Sequence, residues 1–179
     1  IERSEQIASV MLKSGVDFLE IQIPFSDPVA DGPMIMAANH KALQQGTSPT
    51  DCMRLMRRLR RQTRTPLLFM TYFNIAHHYG LEKFCKDAKR SGAYGLIIPD
   101  MPYDEEPHEH YLALCKQYQL HAIQVISPIT PPDRLAHLAS IASGFLYCIS
   151  RTGTTGVSKT LSIQLNSFLR AVKKVSRVP

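Results

Sequence analysis

Several features are missing from this 179-residue sequence, and each absence argues against a class of protein. No apolar run approaches the roughly 20 residues that a membrane span needs. The first residues, IERSEQIASVML, lack the basic and then apolar profile of a signal peptide. The 4 cysteines form no CxxC pair, so the sequence indicates neither a zinc site nor a disulfide framework. We therefore expect a cytoplasmic protein with reduced cysteines and no metal.

The composition is that of an ordinary globular protein. Hydrophobic residues make up 44% of the chain and charged residues 20%, which provides enough apolar surface for a substantial core. This length and composition predict a single domain over residues 1–179.

Positive charge is concentrated in one segment. The net charge is +6, and the basic residues are densest in RLMRRLRRQTR at Arg54–Arg64. Nucleic-acid binding is one interpretation of such a cluster. The other is an amphipathic helix, because Leu55, Met56 and Leu59 recur at helical spacing and leave the arginines on a solvated face.

The order of the predicted elements indicates an α/β fold. Short apolar segments bounded by turn residues predict strands at Asp17–Pro24, Leu67–Tyr72, Tyr94–Pro99, His121–Ser127 and Phe145–Ser150. Helical segments alternate with these strands, which favours a parallel sheet with helices outside it. No strand is followed by the Gly-rich turn of a dinucleotide-binding sheet, so a βα-barrel, of which about five strands are predicted, is favoured over a Rossmann sheet.

Apolar periodicity and capping residues also predict the helices. They are Ser4–Lys13, Met34–Gln45, Ser48–Thr63, Leu81–Arg90, Pro107–Gln117, Pro132–Ser140 and Ile163–Val175. The segment NIAHHYG, at Asn74–Gly80, is predicted to be a loop.

Polar residues alternate with apolar ones in the first strand and point to a site. In Asp17–Pro24, the side chains of Glu20 and Gln22 share one face. If that face is the barrel interior, Glu20 lies near the C-terminal end of a strand, where βα-barrel enzymes carry their chemistry. Burial would then raise its pKa, as a general acid/base requires. An edge strand with Glu20 in water would show the same alternation.

Two loops after strands carry further polar groups. PFSDPVADGP, at Pro24–Pro33, contains Asp27 and Asp31, although aspartate before proline or glycine is also an ordinary turn residue. SRTGTTGVSKTLS, at Ser150–Ser162, has the length of a lid and the N–H and O–H groups to hold a phosphate. A flexible linker would have the same composition.

Four motifs together resemble the tryptophan synthase alpha subunit family. LEIQIPFSDPVADGP at Leu19–Pro33 is the longest and most specific of them. MTYFN at Met70–Asn74, PDMP at Pro99–Pro102 and YCISRTGTTG at Tyr147–Gly156 follow in the family's order. The resemblance covers essentially the whole chain.

The resemblance implies a TIM barrel that cleaves indole-3-glycerol phosphate to indole and glyceraldehyde 3-phosphate without a cofactor. The indole would pass to a beta subunit that carries pyridoxal phosphate, in an alpha2beta2 complex. By motif, Glu20 is implied to be the acid/base and Asp31 the carboxylate that binds the indole N–H. The other residues implied to contact substrate are Tyr72, Tyr147, Thr155 and Gly156. The residues implied to lie on loops facing the beta subunit are Asp27, Pro28, Asn74 and Pro102.

The sequence departs from the family in length. It begins near the family's first helix, without the first strand, and ends at Val178-Pro179, where the seventh strand is expected. We therefore expect an incomplete barrel without the phosphate-binding loops of the last two βα units. In the lid, Val157–Lys159 differs from the usual family sequence. Three functions remain: an alpha-subunit lyase, a non-catalytic remnant that binds the beta subunit, and a nucleic-acid-binding module.

Overall fold

A parallel sheet of five strands forms the centre of the computed structural model, which describes residues 1–101, 106–150 and 163–179. The strands are β1 (Leu19–Gln22), β2 (Leu67–Met70), β3 (Gly95–Ile97), β4 (His121–Ile126) and β5 (Leu146–Cys148). They lie in the sheet in their sequence order, and every neighbouring pair is parallel. A doubly wound sheet reverses its strand order at a switch point, so this unbroken order is that of a barrel. The predicted parallel sheet is confirmed, with shorter strands than expected.

Helices connect the strands. Those in the described residues are α1 (Glu2–Lys13), α2 (Pro33–Gln44), α3 (Pro49–Arg60), α4 (Phe73–Tyr79), α5 (Leu81–Ser91), α6 (Glu106–Glu109), α7 (Tyr111–Gln117), α8 (Pro132–Ile141) and α9 (Ile163–Val175). Within these ranges, no helix is both long and apolar enough to cross a membrane.

The main core lies between the sheet and the helices. Alternate residues of the strands point to this side, among them Leu19 and Ile21 of β1, Phe69 of β2 and Leu96 of β3. They pack against the apolar faces of α3 and α5, whose contribution includes the fully buried Phe84. Burying one such side chain completely contributes about 1.5–3 kcal/mol, so this contact fixes which face of each strand looks outward.

The arginine-rich segment forms the solvated face of α3. A capping box between Ser48 and Asp51 starts the helix, and its apolar residues are buried. Arg58 forms an ion pair with Glu5 of α1 at 2.8 Å, while Arg57 and Arg61 are exposed. The structure thus agrees with the amphipathic interpretation of this segment.

The prediction of a loop at Asn74–Gly80 is wrong, because α4 occupies Phe73–Tyr79. The sequence around Tyr72 offers no side-chain cap, and the helix is capped from another strand. Asp100, which follows β3, accepts a hydrogen bond at 2.8 Å from the N–H of Phe73. Ala76 is fully buried and holds the helix against the core.

The predicted continuous helix Pro107–Gln117 is also wrong, since it is two helices separated at His110. His110 has a φ of 55°, a left-handed conformation that an α-helix cannot contain. The carboxylate of Glu106 accepts hydrogen bonds from the N–H groups of Leu112 and Ala113, at 2.7 and 3.0 Å. This capping of α7 stabilises the break.

Gly95 allows β3 and β4 to approach closely. It pairs in register with His121, and a Cβ added at Gly95 would lie 2.6 Å from the His121 carbonyl oxygen. Backbone atoms cannot move away as a flexible side chain can, so glycine is required at this position.

We expect Gly95→Ala to lower the free energy of unfolding of the full-length protein by about 1–3 kcal/mol, the usual cost of overpacking. Urea unfolding is the measurement. Gly46→Ala is the reference, because Gly46 has a φ of 72° and no atom within 4 Å of an added Cβ. The loss of stability in Gly46→Ala measures the cost of a left-handed backbone for alanine without a steric clash, about 1–2 kcal/mol. An unchanged unfolding midpoint for Gly95→Ala would contradict the close approach.

Candidate active site

The second face of the sheet carries a smaller apolar cluster and the candidate site. Leu68, Ile97 and Ile123 are its buried residues, and Tyr147 of β5 is half-buried against them. Glu20 lies in register with Leu68, and Gln22 with Met70, so both polar residues of β1 share this face. It is the face opposite the helices, which corresponds to the interior of a barrel.

The carboxyl group of Glu20 is partly desolvated. The residue is exposed by surface area, yet the protein around its carboxyl group removes enough water to raise the pKa above the ordinary value of 4.5. Within the described ranges, no hydrogen bond or ion pair to Glu20 offsets this effect. A carboxyl group with a raised pKa holds its proton more tightly than one in water, and its exposure lets it exchange that proton with a neighbouring molecule.

Two side chains reach Asp31, one from β1 and one from the residue that precedes α4. The Nε2–H of Gln22 donates to Asp31 Oδ2 at 2.8 Å, and the hydroxyl of Tyr72 lies 3.4 Å from the same oxygen. The Tyr72 hydroxyl also accepts a hydrogen bond from the N–H of Ala30 at 3.1 Å. These contacts connect the loop after β1 to the ends of β1 and β2.

The backbone of this loop is shaped by a turn and by α2. The N–H of Asp31 donates to the carbonyl of Pro28 at 2.9 Å, which closes a turn. Asn39 of α2 is buried and accepts a hydrogen bond from the N–H of Phe25 at 3.2 Å. Gly32 and Pro33 then begin α2, with proline at the first helical position where it is best tolerated.

The two tyrosines of the site both retain their protons. Tyr72 is 7% exposed, and its ring packs against Phe25 with 5.0 Å between centroids. Burial raises the pKa of its hydroxyl, and the adjacent Asp31 adds to the effect. Burial also raises the pKa of Tyr147, and the charge of Glu20 contributes. Tyr147 and Glu20 are therefore electrostatic neighbours across the site.

The residues expected to face a partner differ in exposure. Asp27 and Asn74 are exposed, whereas Pro28 is fully buried. Val29 of the same loop is 79% exposed and Met34, in the first turn of α2, is 84% exposed, so apolar surface is presented there as well. Three predicted residues lie outside the described ranges, namely Pro102, Thr155 and Gly156.

Sequence reasoning missed two hydrogen bonds around the candidate site. It placed Gln22 beside Glu20 but did not connect Gln22 to Asp31, because that hydrogen bond depends on how the loop folds back. It noted Asp100 at the end of a strand but not its hydrogen bond to Phe73, which is distant in sequence. The alternation of polar residues in β1 was the available signal for the first contact.

The raised pKa of Glu20 predicts a pH-dependent stability. The folded protein binds the Glu20 proton more tightly than the unfolded chain, so this stabilisation is fully present below the ordinary pKa of 4.5 and is lost as the pH rises through the folded-state pKa. Glu20→Gln removes the titration. We therefore expect this variant of the full-length protein to gain stability relative to wild type between about pH 4 and about pH 8. Urea unfolding at both pH values is the measurement, and a pH-independent difference would contradict it.

Comparison with known proteins identifies the family. A family model described as "Tryptophan synthase alpha chain" matches residues 1–179. The tryptophan synthase alpha chain of Desulfotalea psychrophila is 42% identical over 176 residues, which cover 98% of this chain and 68% of the relative. That of Clostridium acetobutylicum is 38% identical over 179 residues, covering 100% of this chain and 67% of the relative.

Solved structures show the same fold. A structure of Mycobacterium tuberculosis tryptophan synthase matches with a TM-score of 0.89 at 32% identity, covering 98% of this chain and 66% of that chain. The A-subunit of Pyrococcus furiosus tryptophan synthase matches with a TM-score of 0.87 at 26% identity, covering 98% of this chain and 70% of that chain. The chain thus spans about two thirds of the length of its relatives, and the predicted TIM-barrel fold is confirmed. The chain belongs to the tryptophan synthase alpha chain family.

Proposed function

We propose that the protein containing this chain is the alpha subunit of tryptophan synthase, a lyase of tryptophan biosynthesis. It cleaves indole-3-glycerol phosphate by a retro-aldol reaction to indole and glyceraldehyde 3-phosphate. The observation that carries the proposal is a pair of carboxyl groups, one on β1 and one on the loop that follows it. Burial raises the pKa of Glu20, and Asp31 is held on the following loop by side-chain hydrogen bonds.

Glu20 has the properties that the two proton transfers need. Cleavage requires protonation of the indole C3, which makes the ring an electron sink, and a base for the glycerol hydroxyl whose carbon becomes the aldehyde. One carboxyl group performs both steps if it gives its proton to C3 and then accepts the hydroxyl proton. A raised pKa favours the protonated form of Glu20, which is the form that the first step uses.

Asp31 supplies the electrostatic part of the mechanism. Protonation of C3 places positive charge on the indole ring nitrogen, and a fixed carboxylate at that nitrogen stabilises the charge as it develops. Tyr72 and Tyr147 form the walls of an indole-binding pocket in this proposal, since both are at least half-buried at the same end of the sheet. Thr155 and Gly156 are assigned to the lid by motif alone.

In the full-length protein, we expect Glu20→Gln to abolish cleavage while substrate binding survives. The amide keeps the size and hydrogen-bonding capacity of the side chain but cannot transfer the proton. Removing a general acid–base group costs about 10²–10⁴ in rate, and a group that serves two transfers belongs at the upper end. Asp31→Asn is expected to be severe but less complete, because an amide oxygen still accepts the indole N–H.

The measurement is indole release from indole-3-glycerol phosphate, alongside substrate binding. Glu2→Gln is a matched control, since Glu2 is an exposed residue of α1 far from the site in sequence. Near-normal turnover by Glu20→Gln would refute the mechanism. Wild-type protein that binds the beta subunit but releases no indole would favour the non-catalytic alternative.

The partner in this proposal is the beta subunit of tryptophan synthase, which carries the pyridoxal phosphate. The loop after β1, the first turn of α2 and the first turn of α4 supply exposed residues of mixed character, namely Asp27, Val29, Met34 and Asn74. An apolar patch rimmed by polar groups is typical of an interface. Because Pro28 is buried, its role in the interface is to shape the loop. Pro102 lies outside the described residues, and its assignment to the interface rests on its motif alone.

Asp27→Lys and Asn74→Arg should each weaken the affinity of the full-length protein for the beta subunit by about tenfold or more, a typical loss at a central interface position. Isothermal titration calorimetry measures the Kd. Asp133→Lys, on the first turn of α8, is the control for charge reversal outside the interface. Unchanged Kd values for both loop variants would place the interface elsewhere.

A further inference from the structure

We propose that Gln22 is a positioning residue for the reaction, which holds Asp31 in place through its side-chain amide. The inference rests on the proposed function, because it assigns to Gln22 the task of orienting the carboxylate that meets the indole nitrogen. The hydrogen bond from Gln22 Nε2 to Asp31 Oδ2, 2.8 Å long, is the observation that carries it.

The position of Gln22 on β1 makes it a rigid anchor. It lies two residues after Glu20 on the same face of the strand, so the two Cα atoms are roughly 7 Å apart along it. Register with Met70 fixes the backbone of Gln22 within the sheet. β1 therefore carries both Glu20 and the amide that holds Asp31. The spacing of Glu20 and Gln22 along the strand constrains the distance between the two carboxyl groups.

The contact with Gln22 is the stronger of the two that reach Asp31. Its length of 2.8 Å is that of a hydrogen bond to a charged group, whereas the Tyr72 hydroxyl lies 3.4 Å away, beyond the usual O–H···O range. Among the neighbouring residues of the loop, Pro28 is fully buried and anchors the backbone, to which the N–H of Asp31 is hydrogen-bonded, whereas Asp27, Val29 and Ala30 are exposed and do not confine the Asp31 side chain. Gln22 is thus the principal side-chain constraint on Asp31 within the described part of the chain.

The chemistry of an amide suits this task. A lysine or arginine in the same place would also hold the carboxylate, but its charge would compete with the developing indole cation for the negative charge of Asp31. The carboxamide of Gln22 donates without a net charge. Both side-chain contacts fall on Oδ2 of Asp31, so Oδ1 is the oxygen assigned to the indole N–H. A carboxylate oriented in advance needs no reorganisation when the charge appears.

The test uses two substitutions in the full-length protein with its beta subunit. Gln22→Met keeps the length of the side chain and removes the donor, and we expect kcat for indole release to fall about 10- to 100-fold, the value of a hydrogen bond to a charged group. Gln124→Met is the matched control, because Gln124 is a half-buried strand glutamine whose amide bonds to the carbonyl of Ala122. A kcat for Gln22→Met within twofold of that of the control, about the scatter of a neutral change, would overturn the proposal.

Gln22→Glu provides a signature that a purely structural role would not give. When the introduced carboxyl is ionised, it repels Asp31, and when it is protonated, its O–H can donate to Oδ2 as the amide did. Activity of this variant relative to wild type should therefore rise as the pH falls, whereas the ratio for Gln22→Met should stay constant. A pH-independent ratio for Gln22→Glu would contradict the positioning role.

A measurement without turnover separates this inference from the proposed function. In an NMR spectrum of the wild-type protein, the side-chain amide protons of Gln22 should exchange slowly with solvent, and Asp31→Ala should accelerate their exchange. Equal exchange in both proteins would refute the contact, whatever the activity. Conversely, slow exchange that depends on Asp31, in a protein that releases no indole, would uphold the contact and refute the lyase function along with the catalytic role of Gln22.

Discussion

Burial of one face of β1 against the helices is the constraint from which the site follows. Leu19, Ile21 and Ile23 are almost inaccessible to solvent, and they can reach the helical layer only in one register. Because side chains alternate along a strand, this packing turns Glu20 and Gln22 to the opposite face. A slip of one residue would place the carboxylate in the core and the isoleucines in the site, at a cost of several kcal/mol. The hydrophobic packing on one face of β1 thus determines the direction of Glu20 and Gln22 on the other face.

The sequence predicted those features of the structure that depend on residues close together in the chain. Strands and most helices follow from apolar spacing and punctuating residues, and the shared face of Glu20 and Gln22 follows from strand period alone. Predictions were wrong where a cap comes from elsewhere in the chain. Asp100 starts α4 from the end of another strand, and Glu106 caps a helix that begins after a left-handed residue. The fixation of Asp31 was equally invisible, since it requires a loop to return to its own strand.

Charge and burial serve different purposes in different parts of the molecule. On α3 the arginines remain in solvent, and one of them links α3 to α1 through Glu5, so the positive charge has a structural use. At the site, Glu20 is kept partly desolvated and its pKa is raised, so its ionised form is less favourable than that of a carboxyl group in water. Natural proteins commonly retain such unfavourable groups where their reactivity is needed.

The hydrogen bond between Asp100 and the N–H of Phe73 joins two loops that belong to different strands. Phe73 is bonded through the peptide chain to Tyr72, and the hydroxyl of Tyr72 reaches the loop of Asp31. Three successive strand ends are therefore connected side to side. An unbroken series of bonds runs along this rim of the barrel, from Asp100 after β3 through the start of α4 to the backbone of the loop after β1.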